Sequence, residues 1–175
     1  KKSCIVFDME AISKTSKAEK IIKLTLITIV GTILITISAK VKIPFYPVPM
    51  TMQTFAILLI GITFGYKIGL ATVTLYLFEG IIGLPVFANS PEKGIGVAYF
   101  IGPTMGYLIG FLAAVYFSGS FKYDKGIINT FLKLIFSVSF IYIIGMFWLG
   151  TLIGWDKPIF KLGAQPFLLA ELFKM

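Results

Sequence analysis

Ile43-Pro44-Phe45-Tyr46-Pro47-Val48-Pro49-Met50-Thr51-Met52-Gln53-Thr54 lies directly between two long apolar runs. Proline fixes φ and removes a backbone donor, so the stretch reads as a stiff, extended loop and not a helix. Polar Thr51, Gln53 and Thr54 follow at once, and the chain then turns strongly apolar again. Within a bilayer, backbone that is neither helix nor barrel survives only where protein buries it or where it lines a cavity. A rigid loop that delivers polar side chains to the mouth of a helix therefore points to a binding site at a membrane surface.

Composition agrees. The 175 residues are 57% hydrophobic and 14% charged, with mean hydropathy +0.92, whereas soluble domains carry about 25% charged residues. Six apolar runs approach the roughly 20 residues that cross a bilayer as a helix. They cover about 21–39, 51–65, 67–86, 97–119, 127–153 and 165–175. The expected class is an all-α membrane bundle over residues 20–175, preceded by a polar leader at 1–19. The last run stops at Met175 after eleven residues and the first residue is Lys1, so the final helix is expected to be truncated. The first run is too long for a cleavable signal. The single Cys4 lies in the leader, which leaves no internal disulfide.

All 16 basic residues are lysines. Lys1, Lys2, Lys14, Lys17, Lys20 and Lys23 precede the first run, which by the positive-inside rule places the N-terminus in the cytoplasm. Alternation then puts Lys67, Lys122 and Lys125 inside, and Lys40, Lys42, Lys93, Lys157 and Lys161 outside. The net charge of +8 reads as topology and contact with anionic headgroups. It does not read as nucleic-acid binding, because no soluble segment carries a basic stripe with interleaved aromatics. On this topology the proline loop, the 85–98 loop and the 154–164 loop share the outer side.

Several side chains in these segments invite both a functional and a structural reading. Asn89, after Gly83-Leu84-Pro85-Val86-Phe87-Ala88, offers a donor and an acceptor to an amide-like or urea-like ligand, or simply turns the loop. Glu79, near the outer end of an apolar run, faces either a cavity or interfacial water. Gly102, Gly106 and Gly110 recur every four residues and argue for close helix packing. Tyr99 reads as an interfacial anchor, and Tyr107, one turn below Thr104, as a cavity wall. In the last run Glu171 and Lys174 stand at i and i+3 on one face, roughly 8–12 Å into the membrane from its start. They form an internal ion pair, or receive ligand N–H and carboxylate groups, or both.

The chemistry available is narrow. With no His and one Cys there is no zinc, haem or iron–sulfur ligand set and no His-based nucleophile arrangement. No phosphate-binding loop is present. No catalytic residue, metal or cofactor is expected; binding and moving a small molecule is the reading that remains.

These residues carry a resemblance. From about Ser38 onward the chain is similar to the BioY family, the biotin-specific substrate-binding subunits of energy-coupling-factor transporters. The likeness rests on Ile43-Pro44 with Pro47 to Thr54, on Gly83 to Ala88, on Gly102-Pro103-Thr104-Met105-Gly106-Tyr107-Leu108-Ile109-Gly110-Phe111, and on Pro166-Phe167 with Glu171 and Lys174. It implies a six-helix subunit of the bacterial cytoplasmic membrane that binds biotin near the outer surface. It also implies a transmembrane coupling protein and two cytoplasmic ATPase subunits as partners. Carried over, Asn89 and Glu171 meet the ureido ring and Lys174 the valerate carboxylate, with Gln53 and Tyr107 at the mouth. The family more often has Asp where Glu171 stands. A small-residue face on its first helix docks the coupling protein, and here Gly31, Thr32 and Thr36 align with it. Two alternatives remain: the same architecture with thiamin or riboflavin, which favours aromatic stacking and needs no buried lysine, or a membrane scaffold whose Gly-rich faces only pack helices.

Overall fold

The computed structural model describes residues 17–44, 46–123 and 126–175. Cys4, most of the expected leader and Lys125 lie outside the described residues. Helix α1 (Lys17–Lys40) leads into a two-stranded antiparallel hairpin, β1 (Lys42–Ile43) and β2 (Met50–Thr51), in which Lys42 pairs with Thr51. The prolines thus sit in the connection between two short strands, where no ladder donor is missed. Helix α2 (Gln53–Ile81) follows, then α3 (Gly96–Phe100), α4 (Met105–Ser120), α5 (Ile127–Ile153), α6 (Ile159–Gly163) and α7 (Gln165–Lys174).

Helix α2 is two antiparallel arms. Gly65 breaks it with φ 77° and ψ 170°, a region essentially restricted to glycine. A Cβ on Gly69 would lie 3.7 Å from the Cα of Gly61. Eight residues of straight helix would hold those positions about 12 Å apart, so the chain reverses at Gly65. The reversal seats on Gly119 near the end of α4, where a Cβ would lie 2.4 Å from the amide nitrogen of Tyr66. At Gly65 itself a Cβ would find only the carbonyl oxygen of Gly119, at 3.8 Å. The cost of a side chain there is therefore conformational and not steric. Gly65→Ala is expected to destabilise the protein by about 1–3 kcal/mol, read as a lower thermal midpoint in detergent; an unchanged midpoint would contradict the reversal.

The run expected at 97–119 is divided into α3 and α4, with Gly102 and Pro103 in the break. Trp148 on α5 donates to the carbonyl oxygen of Gly102 at 2.9 Å, which supplies a partner for backbone freed by the interruption. Gly106 and Gly110 face α5: Cβ atoms there would lie 2.5 Å from Trp148 Cβ and 2.7 Å from Ile141 Cα. They are the close-packing face that the spacing predicts. Gly102 is not part of it, since a Cβ there meets only its own turn at Tyr99.

Helices α1 and α5 are each long and apolar enough to cross a membrane, while α4 and the two arms of α2 on either side of Gly65 are shorter apolar helices. Their outward faces carry Ile22, Leu26, Ile29, Val30, Ile33 and Ile37 of α1, with Phe136, Ile143 and Phe147 of α5. The interior instead holds Thr32, Thr54, Thr72, Ser118, Ser137 and Glu171 among its apolar residues. This distribution suits a hydrocarbon surround, where apolar residues need no burial and polar ones do.

One expectation is corrected here. Gly31 and Thr32 do not form an outward docking face. Both are buried, a Cβ on Gly31 would lie 2.5 Å from Thr72 Cγ2, and Thr32 donates to Glu79 Oε1 at 3.1 Å. The small residues of α1 let it approach α2. Glu79 accordingly pairs with α1 and lies off the cavity described next.

Candidate functional site

The hairpin, the 82–95 loop and the 154–164 segment gather at one end of the bundle, as the alternation of spans requires. Beneath them a cavity of about 530 Å³, counting its open mouth, runs between α2, α4, α5 and α7. Val48, Pro49 and Met50 of the hairpin form part of its lining. Its walls are largely aromatic: Phe87 and Tyr99 stack at 5.3 Å and 17°, and Tyr107, Phe111, Tyr142 and Phe167 face them as further lining residues. Tyr99 is thus a buried wall residue, 7% exposed, and not an interfacial anchor. Its hydroxyl accepts from the amide of Asn89 at 3.1 Å.

Polar groups converge at two places on the wall. Gln53, 4% exposed, donates from Nε2 to the Tyr76 hydroxyl at 2.8 Å and accepts at Oε1 from Thr51 at 3.1 Å. Tyr76 in turn donates to the carbonyl of Val86 at 3.1 Å. The Gln53 amide is therefore fixed in orientation by the second arm of α2 and the hairpin.

The second place is Glu171. Its Oε1 accepts from Lys174 Nζ at 2.7 Å, from Thr54 Oγ1 at 3.1 Å and from the Tyr142 hydroxyl at 3.1 Å. Its Oε2 has no partner, and is the single buried side-chain nitrogen or oxygen among the described residues left so. An ionised oxygen buried without a donor is costly, and such an exception in an otherwise satisfied interior requires a reason. Glu171 lines the cavity, so the unpartnered acceptor lies at the wall of the site.

The remaining expected site residues are placed as follows. Tyr107 lines the cavity with its ring, while its hydroxyl donates to the carbonyl of Gly163 at 2.8 Å and so ties α4 to α6. Lys174 lies behind Glu171 and off the cavity wall, with its ammonium on Glu171 Oε1, the Thr51 carbonyl (2.7 Å) and Thr54 Oγ1 (3.2 Å). Its three donors are thereby matched to three acceptors. Asn89 is also off the wall: its Oδ1 accepts from Lys42 at 3.1 Å. Lys42 further donates to the carbonyl of Ala88 at 2.6 Å, and Lys40 to those of Phe87 at 2.8 Å and Ser90 at 2.6 Å. The two lysines hold the 82–95 loop over the cavity. Glu92, exposed in that loop, has its carboxyl held below the usual range by a backbone hydrogen bond within its own residue, with a smaller contribution from Lys42. Tyr142, unmarked in the sequence, is brought by the fold to the cavity wall, where it donates to Glu171.

Comparison with known proteins agrees with this geometry. Residues 10–175 match the model of the BioY family. A probable biotin transporter BioY of Pyrococcus horikoshii is 33% identical over 141 residues, 81% of this chain and 82% of that one. The biotin transporter BioY of Thermotoga maritima is 34% identical over 145 residues, 82% and 84% of the two chains. The crystal structure of the S-component for biotin from an ECF-type ABC transporter superposes with TM-score 0.75 at 25% identity, over 91% of this chain and 88% of that one. With most of its length matched by the family and the fold shared with an S-component, this chain belongs to the BioY family.

Proposed function

We propose that this protein captures biotin from outside the cell and serves as the substrate-specific subunit of an energy-coupling-factor transporter. The observation that carries the reading is the unpartnered Glu171 Oε2 on an aromatic cavity wall. Biotin's ureido ring offers N–H donors for that oxygen, and its fused rings offer apolar surface to Phe87, Tyr99 and Phe167. A thiamin or riboflavin site has no evident need for a buried lysine behind a carboxylate, and a scaffold has none for an open, polar-lined cavity.

Within this reading Gln53 is a fixed amide at the mouth and Tyr107 an apolar wall. Asn89 reaches the ureido carbonyl when its side chain turns from Lys42 towards the cavity. Lys174 is better suited to pairing with Glu171 than to meeting the valerate carboxylate, because its donors are already matched. The chain transports and does not catalyse; ATP hydrolysis falls to two partner ATPases acting through a membrane coupling protein. The N-terminus is cytoplasmic and the hairpin end faces outward, in the bacterial cytoplasmic membrane, a reading supported by Lys17, Lys20, Lys23, Lys67 and Lys122 at the opposite end from the cavity.

Calorimetry on the detergent-purified protein tests the reading. Biotin is expected to bind tightly, and thiamin and riboflavin not at all, with Asn89→Ala weakening biotin about tenfold, the scale of a lost hydrogen bond. Folded protein that ignores biotin would overturn it.

A further inference from the structure

Glu171 stands on a ten-residue helix, and its neighbour on that helix, Lys174, supplies charge but little direction. An ammonium is a point charge that tolerates many carboxylate orientations. Direction comes from two hydroxyls on other helices, Thr54 of α2 and Tyr142 of α5, each 3.1 Å from the same oxygen. Tyr142 is itself fixed by packing: its ring meets Tyr107 edge-on at 6.1 Å and 83°, and lies tilted against Phe167 at 6.2 Å and 31°. Tyr107 is anchored in turn through Gly163. Three helices therefore triangulate one carboxylate, with every donor on Oε1 and none on Oε2.

We infer that Tyr142 is a specificity-determining residue, which fixes the Glu171 carboxylate so that Oε2 is presented to the cavity as an acceptor and ligands are selected for an N–H group at that point. This rests on the biotin reading of the cavity and adds a residue to it. A site built to receive an N–H rejects an analogue lacking it far more strongly than an apolar pocket rejects an altered shape. That discrimination holds only while the acceptor stays aimed. Without the Tyr142 hydroxyl the carboxylate keeps one directing hydroxyl of two, rotates more readily so that Oε1 and Oε2 exchange roles, and the preference for an N–H weakens. Phenylalanine at this position keeps the ring contacts with Tyr107 and Phe167 and removes only the donor.

The test compares two ligands on each protein: biotin, and biotin methylated on one or the other ureido nitrogen. Wild type is expected to prefer biotin over one methyl isomer by 100-fold or more, on the order seen when a donor is lost from a polar site. In Tyr142→Phe the affinity for biotin is expected to fall about tenfold while that for the methylated isomer stays, so the preference shrinks by the same factor. Thr54→Val should act in the same direction and Thr54→Ser, which keeps the hydroxyl, should not. A Tyr142→Phe protein that loses both ligands equally, or neither, would sink the inference, because a packing role moves both together. Wild type that fails to bind biotin would instead remove the reading beneath it, a result recognisable before any variant is made.

Discussion

Glu171→Gln is expected to abolish high-affinity biotin binding while leaving the cavity its shape. The glutamine oxygen will take the position of Oε1, where Lys174, Thr54 and Tyr142 all donate. Its NH2 then occupies the position of Oε2 and points donors at the ligand's own N–H. A charged hydrogen bond worth about 1.5–3 kcal/mol is lost, and two donors are left facing each other. The combined effect is a loss of about 100-fold or more in affinity, measured by calorimetry. Binding retained within about threefold would mean that the ureido group lies elsewhere.

The second large effect concerns stability. Lys174 and Glu171 form an ion pair at 2.7 Å with side chains 8% and 6% exposed. Removing one member of such a pair leaves the other charge buried and uncompensated, at a cost of about 3–5 kcal/mol. Lys174→Met should therefore lower the thermal midpoint of the ligand-free protein sharply. The double variant Glu171→Gln with Lys174→Met removes both charges and should recover most of that loss, because replacing a whole buried pair is often neutral. It should still not bind biotin. Stability and binding then separate: the pair's net charge governs the first, and the open oxygen governs the second. A Lys174→Met protein as stable as wild type would show that Glu171 is neutral or hydrated in the apo state.

Parts of this site lie close to the surface of the sequence. Three prolines ahead of Thr51, Gln53 and Thr54 mark a stiff loop at a helix mouth, and those polar residues do reach the cavity wall. Glu171 and Lys174 at i and i+3 could be paired from spacing alone, since helical geometry fixes that separation. The reversal at Gly65 falls where the apolar runs at 51–65 and 67–86 meet. Other features depend on tertiary convergence that no local pattern records. Tyr142 sits in an unbroken apolar run among Phe136, Phe140 and Phe147, and its role arises because α7 brings Glu171 to it across 29 positions. Asn89 is bound to Lys42 across 47 positions. Tyr99 reads as interfacial from its place in the chain, yet the 82–95 loop folds over it and buries it. Gly31 and Thr32 read as an outward stripe because small residues look alike whichever side of α1 they occupy; only the contact with Thr72 fixes which way they face.

The clasp that Lys40 and Lys42 make on the 82–95 loop rests mainly on main chain, with Lys42 also 3.6 Å from the carboxylate of Glu92. Three of its hydrogen bonds end on the main-chain oxygens of Phe87, Ala88 and Ser90, and one on Asn89 Oδ1. Backbone carbonyls are present whatever residues occupy those positions. These main-chain bonds do not depend on the side chains at Phe87, Ala88 and Ser90, whereas a change in either lysine removes two of the four. The burden of fastening the roof falls on two positions of the chain, while Phe87 in the segment they hold keeps its own place through its stack on Tyr99.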